Sequence, residues 1–202
     1  MARGNGRDPQ QTRTELLEAA YKEVYYHGFQ AASLERILSN TSHTKGALYH
    51  YFPNKHAMGI AVVDEVIRGR IYRGIIEPVE KTDDPITVLM EVIDRQIGRA
   101  SEESMRLGCP LNNLSQEMSP LDDEFRGHLQ NVFESWRMAL AAALKRGQAK
   151  RNIRADVNCE QAAVFIIAIY EGSIGLGKAY QSKDLYLDCA AQLKTYLMAL
   201  RA

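Results

Sequence analysis

Cysteine is scarce in this chain of 202 residues, and the three present, Cys109, Cys159 and Cys189, stand far apart with no CxxC pair. That spacing argues against a zinc site and a disulfide framework. No metal-ligand cluster, phosphate loop or Cys-His-Asn arrangement appears either, so neither metal, cofactor nor catalysis is expected. Long apolar runs are also missing. The longest, Ala162 to Tyr170, is about half the ~18 residues of a membrane span and is followed by Glu171. The opening residues MARGNGRDPQQ carry basic groups without an apolar stretch. They do not read as a signal peptide, so a cytoplasmic protein with no membrane partner is expected. Net charge is absent: 25 Lys and Arg face 25 Asp and Glu. A broad nucleic-acid footprint over the whole chain is thereby disfavoured. Finally, no segment alternates with a strand period for long, which leaves an all-α chain of about nine or ten helices.

What is present is helical punctuation. Asp8-Pro9, Asp84-Pro85 and Ser119-Pro120 each pair a capping side chain with proline at a first helical position. Thr12-Arg13-Thr14-Glu15 has the form of a capping box and offers a second start for the first helix; Asn158 with Gln161 is a weaker version. Gly28 and Gly147 sit where helices of this pattern should stop. Between these marks run apolar stripes with helical spacing: Leu16, Leu17, Ala20, Tyr21 and Val24; Ile86, Leu89, Met90, Ile93, Ile97 and Ala100; Leu129, Val132, Phe133, Trp136, Leu140 and Leu144.

The segment SLERILSNTSHTKGALYHYFPNK, Ser33 to Lys55, is the most specific feature. Leu34, Ile37 and Leu38 form a short apolar segment. A polar break from Asn40 to His43 follows, and a second short segment opens at Thr44 and runs through Leu48, Tyr49 and Phe52. Two short helices joined by a tight polar turn describe a helix-turn-helix, whose second helix enters the DNA major groove. Thr44 is placed to cap that helix and is a candidate donor to a phosphate. Lys45 and Gly46 follow at the end aimed at DNA, where the glycine lets backbone approach closely. Ala47 offers a methyl for thymine. Lys55 opens the next helix, where free N–H groups and a lysine both attract phosphate. Arg36 is a further candidate base or phosphate contact. Leu48 and Phe52 read as core, and Arg3, Arg7 and Arg13 as a basic arm with or without a DNA role. Charge fits a small DNA-facing head: residues 1–56 hold seven Lys and Arg against five acids, with four of the five histidines.

The wording TKGALYHYFPNK, with Gly28, Phe29, Ser33 and Ile37 upstream, resembles the DNA-binding domain of the TetR family of bacterial transcriptional regulators. The motif-level likeness covers roughly the first quarter of the chain; length and helical content carry the rest. It departs from the family in the turn. There Thr41, Ser42 and His43 replace the usual small residue, glycine and apolar residue, and Ser42 bears a backbone cost if its φ is positive. The resemblance implies that Tyr49 and His50 contact phosphates. It also implies that the last two helices form a four-helix bundle across a two-fold axis. The chain then pairs as a homodimer with two heads on a palindromic operator of double-stranded DNA.

This predicts an all-α protein with a three-helix head over residues 1–56 and a ligand-binding and dimerisation body over 57–202. The helix from near Lys55 toward Ile76 joins them. Gly172, Gly175 and Gly177 crowd the end of a helix over residues 158–180, explained by a close partner helix or by fraying. LGCPLNNLSQE, Leu107 to Glu117, interrupts an apolar segment with polar groups, as a small-molecule site requires. Cys109, Asn113, Phe133, Trp136, Phe165 and Tyr170 are the candidate lining of a site for an unidentified inducer, with ordinary core packing as the alternative for each aromatic. Gly108-Cys109 resembles a pair in relatives that sense electrophiles, which would need a thiol of lowered pKa. The resulting expectation is a repressor released from its operator by a small molecule or an electrophile. The alternatives are a dimeric helical adaptor and a small cysteine-dependent enzyme, neither binding DNA.

Overall fold

Side-chain caps set most helix starts, each contributing about 1 kcal/mol. The computed structural model describes Pro9–Ala202, and ten helices build it among those residues. Helix α1 spans Pro9–His27, α2 Leu34–Ser39 and α3 Lys45–Tyr51. A continuous helical run over residues 55–80, α4, alternates α-helical Lys55–Ala61, Arg68–Ile71 and Glu77–Glu80 with π-helical Val62–Ile67 and Tyr72–Ile76. Then come α5 (Pro85–Arg99), α6 (Glu102–Leu107), α7 (Pro110–Met118), α8 (Asp123–Ala149), α9 (Cys159–Tyr180) and α10 (Lys183–Ala199). Asp84 caps α5 by accepting from Thr87 N, and Asn158 caps α9 by accepting from Gln161 N.

Three expected boundaries move. Pro9 is already helical, so Thr12 lies inside α1 and does not start it; Asp8, Arg3 and Arg7 lie outside the described residues. Ser119-Pro120 is a turn, because the Leu121 and Asp122 N–H groups both fold back onto Met118 O at 3.0 Å. Asp122 is the true start, its carboxylate accepting from Phe125 N at 2.9 Å. Gly147 does not stop α8. The helix ends at Ala149, and Arg151 follows with a φ of 62° that lets Asn152 N reach Gly147 O, while Arg151 N reaches Gln148 O. Gly147 serves close packing instead, since a Cβ there would sit 3.0 Å from Ile153 Cδ1 and Pro85 Cδ. Gly28, by contrast, does end α1, with φ 80° and its N–H on Val24 O at 2.8 Å.

The chain forms two compact units. The first takes the residues up to Arg68 together with Leu114–Leu129. Its core is the expected α1 stripe, all five residues buried, with Ile37, Leu48, Phe52, Met58, Val62 and Phe125. Residues 114–129 join it for visible reasons: the Phe125 ring packs 4.5 Å from that of Phe29, and Glu117 bonds the backbone after α1. This unit therefore reaches well past residue 56. The second unit holds Gly69–Asn113 and Gln130–Ala202. Its core draws Ile86, Leu89 and Ile93 from α5, Trp136, Leu140 and Leu144 from α8, Ala163 and Ile167 from α9, and Leu193 and Leu197 from α10. Each fully buried Leu or Ile contributes roughly 1.5–3 kcal/mol. Helix α9 has the length and apolarity of a membrane span. One face of it nevertheless belongs to this core, and it carries a buried glutamate, Glu171.

Candidate DNA interface and effector site

The helix-turn-helix has the expected form, and its geometry follows from a few side chains. Ser33 caps α2 by accepting from Glu35 N and Arg36 N, and Thr44 caps α3 by accepting from Ala47 N at 3.2 Å. Between them the turn avoids the expected cost. Among the described residues only Arg151 and Gln181 combine a side chain with positive φ, so Ser42 needs no glycine-like backbone. The His43 side chain is 5% exposed, with Nε2 and Glu15 Oε2 2.7 Å apart. Leu48 and Phe52 anchor α3 in the core.

With α3 anchored by Leu48, the side carrying Thr44, Lys45, Gly46, Tyr49 and His50 is exposed, and Ala47 is half-buried beside them. Lys45 Nζ lies 5.9 Å from the Tyr49 ring centroid. A Cβ at Gly46 would meet only Thr44 Oγ1, at 3.8 Å. The fold has no need of a glycine there.

Arg36 and Lys55 behave differently. Both turn toward the loop between α1 and α2. Arg36 bonds Glu23 Oε1 through Nε at 2.7 Å and Ala31 O through a terminal nitrogen at 2.6 Å. Lys55 Nζ donates to Gln30 O at 2.9 Å and sits 5.0 Å from the Phe29 ring centroid. Burial pushes the Lys55 ammonium's pKa down, against the pull of Glu117 and Glu23. Glu117 completes the arrangement, accepting from Phe29 N at 2.9 Å and Gln30 N at 2.8 Å. Glu23 accepts from Ser33 N at 2.9 Å. Burial alone would raise the Glu23 pKa, but Arg36 and the Ser33 N–H outweigh it and hold the carboxylate below its usual value. Arg13, read above as part of an arm, is a clamp: it forms a two-pronged ion pair with Glu65 at 2.6 Å and lies over Phe52.

In the second unit Trp136 is buried, while Cys109 and Asn113 are half-buried and Phe133 and Tyr170 pack half-buried on the core. Asn113 donates to Leu107 O at 2.7 Å and accepts from Lys178 Nζ at 3.0 Å. Trp136 meets the Tyr170 ring edge-on, centroids 5.5 Å apart. A cavity of about 10 Å³, lined by Ile93, Tyr170, Ser173, Tyr186, Ala190 and Leu193, has room for about one water. Phe165 departs from its expected place. It is 44% exposed, against Tyr196, on the outer side of α9.

Cys109 lacks the chemistry of an electrophile sensor here. Its Sγ donates to Glu171 Oε1 at 3.3 Å, and burial followed by the Glu171 charge pushes the thiol well above its ordinary pKa. The reactive species is the thiolate, so brief maleimide treatment at neutral pH is expected to leave Cys109 unmodified while the protein stays folded. Peptide mass mapping that finds Cys109 labelled ahead of Cys159 and Cys189 would reverse this assignment. The sequence marks Glu171 only as the residue that ends the longest apolar run, although it lies four residues after Ile167 and eight after Ala163, on a buried stripe.

Known proteins give the same picture. Residues 16–62 match the family described as bacterial regulatory proteins, tetR family, and residues 85–193, over half of the chain, match the tetracyclin repressor-like C-terminal domain. An HTH-type transcriptional regulator from the lacX 3′ region of Lactococcus lactis subsp. lactis is 29% identical, covering 91% of this chain and 92% of its own. The HTH-type transcriptional repressor DhaR of Mycobacterium sp. (strain GP1) is 27% identical over 80% of each chain. Among solved structures, a TetR-family transcriptional regulator from Cytophaga hutchinsonii superposes with a TM-score of 0.85 at 24% identity, covering 96% of both chains. At that identity the likeness speaks for the fold.

Proposed function

The chain belongs to the TetR family of bacterial transcriptional regulators, and on that premise we propose that it is a cytoplasmic homodimeric repressor that holds a palindromic operator and releases it when a small molecule occupies the second unit. Both matched domains and the relatives are regulators, which removes the enzyme reading. Repression is supported by the likeness to a named repressor. Two recognition helices, one from each protomer, enter successive major grooves about 34–36 Å apart. Thr44, Tyr49 and His50 contact phosphates, while Lys45, Gly46 and Ala47 meet base edges. Arg36 and Lys55 act behind them by fixing the α1–α2 loop, and either joins the DNA only by leaving its carbonyl partner. Release is a population shift: an effector weakens DNA binding only by its preference for the conformation that does not bind.

The observation that carries this reading is Gly46. Glycine within a helix costs up to about 0.5–1 kcal/mol relative to alanine, and nothing in the protein requires it here. The demand comes from outside, from a surface that approaches the backbone at the start of α3. Gly46→Ala is therefore expected to melt at the same temperature or slightly higher, yet to bind the protein's own upstream region at least about tenfold more weakly, a loss of roughly 1.4 kcal/mol. Thermal melts and gel shifts across a salt series read both effects. An unchanged affinity would remove α3 from the interface. No binding by the wild-type chain at any salt would favour the adaptor reading.

A further inference from the structure

We infer that the effector site of the second unit is built around Glu171 to take an organic ammonium, a small cation carrying an apolar group. The inference rests on the reading that this unit receives an effector. Glu171 is 6% exposed, and its two oxygens differ. One accepts the Cys109 thiol at 3.3 Å; the other is buried with no hydrogen-bond partner in the protein. Such an atom is rare in folded proteins and calls for a missing donor. A second orphan belongs to the same unit: the indole N–H of Trp136, which is also buried and unpartnered. The Trp136 ring meets Tyr170, the residue beside Glu171.

The groups facing the carboxyl are a thiol and two phenols. Cys109 precedes α7, Tyr170 neighbours it on α9, and Tyr186 comes from α10. Burial and then charge, including that of Glu171, hold both phenols neutral. Lys178, about two turns further along α9, has its ammonium on Asn113 Oδ1. Burial, opposed only by the thiol hydrogen bond, lifts the carboxyl to about 7. A buried carboxyl without a cation is an anion site short of one positive charge. A ligand ammonium supplies that charge and the missing donor together, and the Trp136, Tyr170 and Tyr186 rings suit a cation. The cavity that Tyr170 and Tyr186 help to line also has Ile93, Ala190 and Leu193, which suit an apolar substituent. The cavity admits about one water as it stands, so entry requires the surrounding helices to part.

Benzylamine and its uncharged counterpart benzyl alcohol test this on the full dimer without DNA. Trp136 is the chain's only tryptophan, so its fluorescence reports occupancy directly. Benzylamine should bind at least tenfold more tightly than the alcohol at pH 7.5. Its affinity should fall about tenfold per unit from pH 7 to pH 5, because Glu171 must lose a proton to receive it. Calorimetry in two buffers at pH 6 should register close to one proton released. Glu171→Gln should erase the charge preference and the proton release while melting normally, and Glu171→Asp should retain both in weaker form. Equal binding of the two probes, no binding of either, or proton release that survives Glu171→Gln would overturn the assignment. Because these readings use no operator, they stand apart from the gel shifts that test repression.

Discussion

Gly175→Glu is expected to convert the proposed dimer to monomers and to weaken operator binding by about 10²–10⁴-fold, the gain that simultaneous engagement of two heads provides. The reasoning starts from what α9 leaves uncovered. A Cβ at Gly172 or Gly175 would meet nothing within 4 Å, whereas at Gly177 it would meet Met105 and Tyr186. The helix is intact through Tyr180, so fraying does not explain the glycines. Phe165, Gly172 and Leu176 follow at intervals of seven and four and share one face, with Gly175 at its edge. Phe165, Leu176 and Tyr180 on α9, and Met198 on α10, are exposed. A face of large apolar side chains and bare glycines matches a partner helix packed closely. Gly175→Glu places an unpaired carboxylate in that contact, at a cost of several kcal/mol in an assembled dimer and almost none in a monomer. Sedimentation equilibrium reads the assembly, a gel shift reads the operator, and a thermal melt checks folding. A variant that remains dimeric puts the two-fold axis on another face.

The same face shows why some of the molecule was legible in sequence and some was not. Some short local signals held and some did not: Thr44 before Lys-Gly-Ala, Asp84 before Pro85 and Gly28 after α1 do what their neighbours require, whereas Thr12, Ser119-Pro120 and Gly147 do not mark the boundaries they suggest. The α1 stripe and most of the α5 and α8 stripes were also found, because one buried face per helix produces one clear period. Helix α9 defeats that logic. It has an inner apolar face for its own core and an outer one, so the two merge into an apolar helix from which the side occupied by Phe165 cannot be read. Long-range catches were hidden for another reason. Glu117 bonds Phe29 and Gln30 across nearly ninety residues, and Arg36 reaches Glu23 on a different helix. Nothing local marks such a partner. The candidate DNA face was consequently legible for α3, where exposure follows from Leu48 and Phe52 being buried. It was not legible for Arg36 and Lys55, whose direction depends on the loop carbonyls they meet.

Gly59→Ala should cost the first unit on the order of 3 kcal/mol, although it adds a single methyl group. Overpacking a well-filled core costs typically about 1–3 kcal/mol, and this site offers little relief. The new Cβ would lie 2.3 Å from Phe29 Cε2 and 2.7 Å from Phe125 Cζ, inside contact distance of two rings on opposite segments. Neither ring is free to retreat. Phe125 is fully buried, and its N–H is held by Asp122. Phe29 packs against Phe125, and its backbone N–H is tied to Glu117. Moving either ring therefore disturbs the loop that Glu117, Lys55 and Arg36 hold in place. The melting transition of the first unit should drop by roughly 6–12 °C, taking about 2–4 °C per kcal/mol for a chain of this size. DNA binding should fall in step with the folded fraction and recover on cooling. Gly46→Ala makes the matched control, since the same added methyl meets only Thr44 Oγ1 at 3.8 Å and should leave the melt intact while binding is lost. If Gly59→Ala melts like the wild type, the rings at Phe29 and Phe125 have room to move, and the first unit is packed more loosely around residues 114–129 than these distances require.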